Sequence, residues 1–497
     1  MSHGDADAGH MTPRSAFYDQ GRFGRLFPTL PPFAADTAQV RDALVELGAP
    51  KGPMDAQDDL SDPITLITDP AKREHNPDNP TMTAGFTFFG QFLDHDMTFD
   101  PTSSLARRQD PESIRNFRIP ALDLDSVYGG GPGVSPHLYD RQVDGGRTTL
   151  LTEPIAGSAA VSIDGSERRD LPRNAQLTAL VGDPRNDENL IVSQLHLAML
   201  RFHNVVVADV AADLGAGSTV DEVFAEAQRI VRWHYQWLVL HEFLRATVGS
   251  VTADDVVTHG LRHYRWHHDP YIPVEFSVAA YRFGHSQVRP SYRANFGTSA
   301  TDPAQQFFAL VFDPAAADPA DPADLRGGCR AARRFIDWQT FFDVGDGRSR
   351  SNKKIDTTLS SVLFALMGQP AGEATSLASR NLLRALTMKV PSGQRIARAM
   401  QLPVLAPGDL DDLRPFHLHQ RTPLWFYILR EADVVADGEH LGPVGGRIVA
   451  EVLYGLVSGD RQSYLSQDPD WTPTYGTSDE FTIVDLLRTA GVLATIA

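Results

Sequence analysis

One cysteine, Cys329, stands among 497 residues, so the chain cannot build an internal disulfide or a thiolate metal cluster. No run of about 18 apolar residues offers a membrane span. Residues 1–17 carry Asp, Gly and His where a signal peptide would have an apolar core. These absences predict a cytoplasmic protein with no membrane partner, export by an unconventional route remaining open. Basic residues are the minority, 45 Lys and Arg against 63 Asp and Glu for a net charge of −18, which argues against a nucleic-acid partner. Period-two alternation is scarce as well, so the fold class is read as mainly α, a large single helical domain with few short strands. What is present is a globular composition, 42% hydrophobic and 22% charged, ample for a sizeable core.

Prolines at 28, 31, 32, 53, 63, 70, 77 and 80 break any long periodicity early on. We read 1–80 as an irregular N-terminal wrap belonging to the same unit as the main domain, 81–497. A helix is expected over 83–99, stopped by Pro101, and an acidic passage over 111–133 reads as a loop. Asp183-Pro184-Arg185-Asn186-Asp187-Glu188 has an acidic cap, a first-turn proline and early acids, the marks of a helix start, and a long helix should run to about Leu214. Thr219 and Glu222 form a capping box for a second long helix. Further helices are expected over 357–367, 375–388, 393–400 and 446–456, and the Asp/Pro/Ala stretch 313–322 is a surface loop.

The chemistry centres on Gly90-Gln-Phe-Leu-Asp-His-Asp-Met-Thr-Phe99, which sets an amide, two acids and an imidazole among large apolar side chains. On a helix Gln91, Asp94 and His95 share one face, while Asp96 lies about 100° further round. A solvated turn with a satisfied histidine is the ordinary reading. For Arg185 the ordinary reading is a salt bridge with Asp187 or Glu188, since a cation at a helix start is unfavourable.

Four pieces in order, 90–96, Arg185 with Glu188, Tyr281-Arg-Phe-Gly-His285, and Asn381 with Arg384, resemble the peroxidase–cyclooxygenase superfamily of animal-type haem peroxidases. The resemblance spans roughly 80–460, and Gly442-Pro-Val-Gly-Gly-Arg-Ile-Val-Ala-Glu451 looks like the bacterial branch. It implies a haem b enzyme that reduces H2O2 through a ferryl intermediate and oxidises halides, thiocyanate or small phenols. His95 matches the distal acid–base, which must be neutral to work. Arg185 matches the distal cation, and Gln91 would order water, peroxide or halide. His285 matches the proximal iron ligand, Asn381 the acceptor of its other ring proton, and Arg384 a propionate partner with Arg282 near the same edge. Asp94 and Glu188 match carboxylates that become esterified to haem through turnover. Asn189 stands where a methionine makes a third link in one relative, so that link cannot form. Asp96, Asp123 and Asp125 match calcium ligands, with the carbonyls of Ile119 and Ala121. At Ile119 the family usually has threonine, which here removes a hydroxyl ligand.

Other histidines, His234, His241, His263, His267, His268, His417 and His419, fit no tetrahedral or facial metal spacing and are read as structural, with His267-His268 and His417-Leu-His419, in loops, a minor alternative. The nearest alternative function is a fatty-acid dioxygenase of the same superfamily, which carries its radical tyrosine three residues before the proximal histidine. Here Arg282 holds that position and Tyr281 is one residue further off. A haem-binding module without turnover is the second alternative.

Overall fold

The computed structural model describes residues 23–99, 116, 118–143, 146–267, 269–313, 315–366 and 374–496. His268, Met367, Pro101 and the first part of the 111–133 passage therefore lie outside the described residues. Among those described, strands form four two-stranded sheets only, and helices supply the rest of the regular structure. The first long helix that matters to the site is α1, Gly85–Met97. It is almost apolar all round, with Phe86, Phe88, Phe89, Phe92 and Leu93 buried, which marks a helix running through a core. Gly85 permits this: a Cβ there would stand 2.3 Å from the Phe342 ring.

The start anticipated at Asp183 is built differently from one continuous helix. Asp183 caps a short 3-10 turn, Pro184–Asp187. The chain then begins again, with Asn189 capping α2, Leu190–Leu214, by accepting from Val192 N. Length and mean hydropathy (1.4) would let α2 cross a membrane, a feature the sequence reading did not anticipate, yet 83% of its most apolar stretch is buried inside the protein. The capping box of Thr219 and Glu222 starts α3, Val220–Leu238, which packs on α2. A π turn, Val239–Phe243, follows and turns Phe243 toward α1, 5.4 Å from the Phe89 ring.

Downstream, the short helix α4, Gly284–Gln287, carries His285, and α5, Leu377–Thr387, carries Asn381. The N-terminal segment packs against this second helix, Ser379 Oγ donating to Val45 O and Ser376 Oγ to Gly48 O. The helix expected over 357–367 is absent apart from one 3-10 turn, Ser361–Phe364. Its backbone is spent elsewhere: Leu359 N donates to Met54 O, Thr358 N to the Asp356 carboxylate and Ser361 N to Asp58. Side-chain and cross-chain acceptors outcompete the helix at this point.

Two further helices, α6 at Leu424–Ala436 and α7 at Pro443–Gly459, close the core. Buried Glu431 accepts from Val444 N and Gly445 N, capping α7, and burial pushes its carboxyl up to about 7. Its folded pKa thus lies above the unfolded one, so the stability it contributes is present at pH 4.5 and lost as pH rises through 7. A rise of this size is on the order of 3 kcal/mol. Glu431→Gln keeps an acceptor without a charge, so its melting temperature relative to wild type should increase between pH 5 and 8.5; a pH-independent difference would contradict this reading.

Candidate active site

A cavity of about 530 Å³ lies between α1 and α4, within the size range of ligand pockets. Gln91, Asp94 and His95 line it from α1, Arg185, Glu188 and Asn189 from the 3-10 turn and its end, and Tyr281, Arg282 and His285 from the opposite side. Phe86, Phe243, Phe312 and Leu363 make apolar wall between them. Asp96, one residue on from His95, turns away and is fully buried.

His95 is buried, and desolvation followed by the Arg185 charge pushes its pKa down to about 4, so its imidazole is neutral at neutral pH. Its Nδ1–H donates to Asn186 Oδ1 at 2.8 Å, which leaves Nε2 facing the cavity, 3.8 Å from Glu188 Oε1. Burial on the cavity wall pushes the Glu188 carboxyl up to about 7, with 43% of its side chain still uncovered. Gln91 Nε2 donates to that carboxyl, and Asn189 Nδ2 donates to Gln91 Oε1 at 3.2 Å. Asn189 is therefore both helix cap and the group that orients the Gln91 amide.

Arg185 does not pair with Asp187 or Glu188. Asp187 is taken by Arg173, at 2.6 Å, whereas Arg185 meets Asp183 through Nε (3.1 Å) and Nη2 (2.8 Å). The same Nη2 donates to the carbonyls of His95 and Thr98, so the guanidinium sits at the C-terminal end of α1, where a cation is favourable. Burial would raise Asp183, but its bonds with Arg185 and the nearby charges of Arg185 and Arg118 hold it at about 2, a permanent anion.

Across the cavity, burial and then the Arg282 charge push His285 down to about 3, leaving a neutral imidazole that can donate a lone pair to a metal. A Cβ on its neighbour Gly284 would meet nothing within 4 Å, so the backbone beside His285 borders open space. Asn381 lies 2.8 Å away, Nδ2 to His285 Nδ1. An amide's oxygen and nitrogen exchange by a half-turn, and that turn lets Asn381 accept from Nδ1–H while Nε2 faces the cavity. Arg384, one turn on, is half-buried and not among the lining residues. Arg282, a cavity-lining residue, reaches toward Asp94, with Nη1 4.0 Å from Asp94 Oδ2 and Nε donating to Ser277 O at 2.8 Å. Two neutral imidazoles on one cavity, with apolar walls and two carboxylates between them, fit a haem.

Behind α1, Asp96, Asp123 and Asp125 offer oxygens within 4.8 Å of one another, the one group with metal-ligand spacing among the described residues. Burial, then the Asp123 charge, pushes Asp96 up to about 7, and burial raises Asp123 and Asp125 as well. Leu122 and Leu124, both fully buried, hold positive φ (49° and 61°) to bring the acids together, a conformation that leucine adopts only at a cost. Such a cluster suits a hard divalent cation. The carbonyls expected to help are engaged: Ile119 O accepts from Ala121 N at 2.8 Å, and Ala121 O faces Gln236 Nε2 at 3.4 Å. Arg118 bridges Asp125 (3.0 Å) and Asp183 (2.7 Å).

Sequence patterning assigns Asn186 and Arg118 no role and Asp183 only that of a helix cap, which it fills. It predicts a helix start over 183–188, whereas a 3-10 turn at 184–187 aims Asn186 at His95.

Residues 106–322 match the animal haem peroxidase family. Human thyroid peroxidase is 28% identical over 216 residues, 40% of this chain and 22% of the relative. A peroxidase-like protein of Margaritifera margaritifera is 28% identical over 264 residues, 43% of this chain and 32% of the relative. The chain thus spans about a fifth to a third of the length of these relatives. In fold it is similar to peroxidase A from Dictyostelium discoideum, with a TM-score of 0.56 at 16% identity over 96% of this chain and 93% of that one. A fatty acid alpha-dioxygenase of Oryza sativa gives a TM-score of 0.55 at 15% identity over 88% and 77% of the two chains. Residues 106–322 are thus similar in sequence to the animal haem peroxidases, and nearly the whole chain is similar in fold to peroxidase A.

Proposed function

We propose that the protein is a haem peroxidase that reduces H2O2 and oxidises small anionic or phenolic donors. The observation that carries this reading is the pair of neutral imidazoles, His95 and His285, on one cavity, each contacted at Nδ1 by an asparagine amide. His285 Nε2 would hold the iron, and Asp94 and Glu188 would tether the macrocycle edges. Haem, when bound, supplies the two-electron redox chemistry.

The protein's own part is proton movement and charge placement. His95 Nε2, unprotonated, takes the proton from the attacking oxygen of peroxide and returns it to the leaving oxygen. Arg185 supplies positive charge where negative charge develops, partly offset by Asp183, and it also clamps the carbonyls of His95 and Thr98. Gln91, oriented by Asn189, presents its amide beside Glu188 to order water or a small anion. Asn381, a neutral amide, pulls less on His285 Nδ1–H than a carboxylate would, which favours a stronger oxidant. Ca²⁺ at Asp96, Asp123 and Asp125 would cancel their repulsion and brace the back of α1. The pattern at 442–451 favours a bacterial relative.

A fatty-acid dioxygenase is the rival. Tyr281 lines the cavity, but its phenolic O–H donates to Gly90 O at 3.2 Å. A backbone carbonyl does not take up the proton that a tyrosyl radical must shed.

Steady-state H2O2 turnover with bromide, iodide, thiocyanate and a phenol tests the proposal, with palmitate and O2 as the rival arm. Peroxide-dependent oxidation of at least one small donor is the expected result. Oxygen uptake with palmitate and no peroxidase turnover would reverse the choice.

A further inference from the structure

Consecutive residues grip the same histidine in two ways: Arg185 holds the main-chain carbonyl of His95, and Asn186 holds its ring. Asn186 is completely buried in the 3-10 turn, between His95 and His196, which are 4% and 1% exposed. Its Oδ1 lies 2.8 Å from His95 Nδ1, and its Nδ2 lies 2.9 Å from His196 Nδ1. We propose that Asn186 is the positioning residue that selects the tautomer of His95, with His196 fixing which way the amide points.

Hydrogen-bond direction sets the tautomer. A primary amide has one accepting end and one donating end. With a bare His196 Nδ1 accepting from Nδ2, Oδ1 faces His95, and a proton on His95 Nδ1 satisfies it. The other tautomer would set the Nδ1 lone pair against the carbonyl oxygen in a dry interior, leaving buried polar groups unsatisfied. His95 Nε2 is then left without a proton on the cavity side, 3.8 Å from Glu188 Oε1. The amide does this without adding charge. Around the ring stand Asp94 on its own helix, Arg185, Asp183 and Glu188 from the turn and its ends, and neutral His196 from α2.

This inference rests on the peroxidase reading, in which His95 Nε2 must accept a proton, but its test has an arm that needs no turnover. In uniformly ¹⁵N-histidine-labelled protein without haem, His95 should show a protonated Nδ1 and a bare Nε2. Asn186→Leu, which removes both ends of the amide, should give mixed tautomers. Asn186→Asp, which keeps an acceptor for His95, should retain the Nδ1–H form. In the haem-loaded enzyme, Asn186→Leu should lose about 10²-fold in kcat/KM for H2O2, keep the Soret band, and leave kcat/KM for the donor unchanged. Asn186→Asp should recover most of the loss.

A wild-type His95 protonated on Nε2 would overturn the proposal. So would an Asn186→Leu variant with one fixed tautomer and wild-type peroxide reactivity. Should Asn186→Leu fail to fold, the Asp variant decides alone, and a mixed tautomer there contradicts the proposal. A wild-type enzyme that ignores peroxide yet shows the Nδ1–H tautomer would sink the peroxidase reading and leave this inference standing.

Discussion

Replacing His95 by alanine is expected to slow the reaction of the haem-loaded protein with H2O2 by about 10²- to 10⁴-fold, the usual worth of a positioned acid–base, while haem stays bound. The substitution removes the imidazole that α1 offers to the cavity and leaves His285 and Asn381 untouched. Its structural side effects are contained: Asn186 Oδ1 loses a donor, but Arg185 still holds the main-chain carbonyl at 95. Stopped-flow absorbance after mixing with peroxide measures the rate, and the Soret band before mixing reports haem. Wild-type speed in the variant would mean that another group moves the proton and that the proposed mechanism is wrong.

The second large effect is expected behind the helix. Asp96 is fully buried, accepts from Leu124 N (3.2 Å) and Ser126 Oγ (3.2 Å), and stands against Asp123 and Asp125. If a divalent cation holds the three acids together, Ca²⁺ at a hundredfold excess over its Kd should stabilise the wild type by about 2.7 kcal/mol. Asp96→Asn should abolish most of that response. The sign reverses without metal: the Asp96 carboxyl, pushed up to about 7, destabilises the folded state as pH rises past that value, and the asparagine does not. At pH 8 in EGTA the variant should therefore melt at or above the wild type, and in Ca²⁺ below it. Identical melting in Ca²⁺ and EGTA for both proteins would remove the cation from the account. Because Asp96 adjoins His95, the variant should also lose peroxide reactivity in Ca²⁺ without any change at the cavity face.

Where one helical period fixes the outcome, the site was legible in the sequence. Gln91, Asp94 and His95 share a cavity wall because 3.6 residues per turn allow little else, and Asp96 turns away for the same reason. The alternation of Asp123 and Asp125 and the histidine after Gly284 were likewise visible as local patterns. What the sequence hid depends on distant partners. Arg185 turns to Asp183 and the end of α1 because Arg173 already holds Asp187. Asn186 reaches His95 only because 184–187 winds as a 3-10 turn, which the same capping signals do not separate from an α-helix. Over 357–364, apolar and helix-forming residues lost to backbone bonds with Met54 and the Asp58 carboxylate, some 300 residues earlier in the chain. Local propensity cannot foresee such competition.

Haemin titration followed at the Soret band tests the central claim most directly. The account requires a saturable signal that stops at one haem per chain, and loss of the imidazole-ligated spectrum in His285→Ala. A titration that never saturates, or a wild-type spectrum unchanged by His285→Ala, would contradict it.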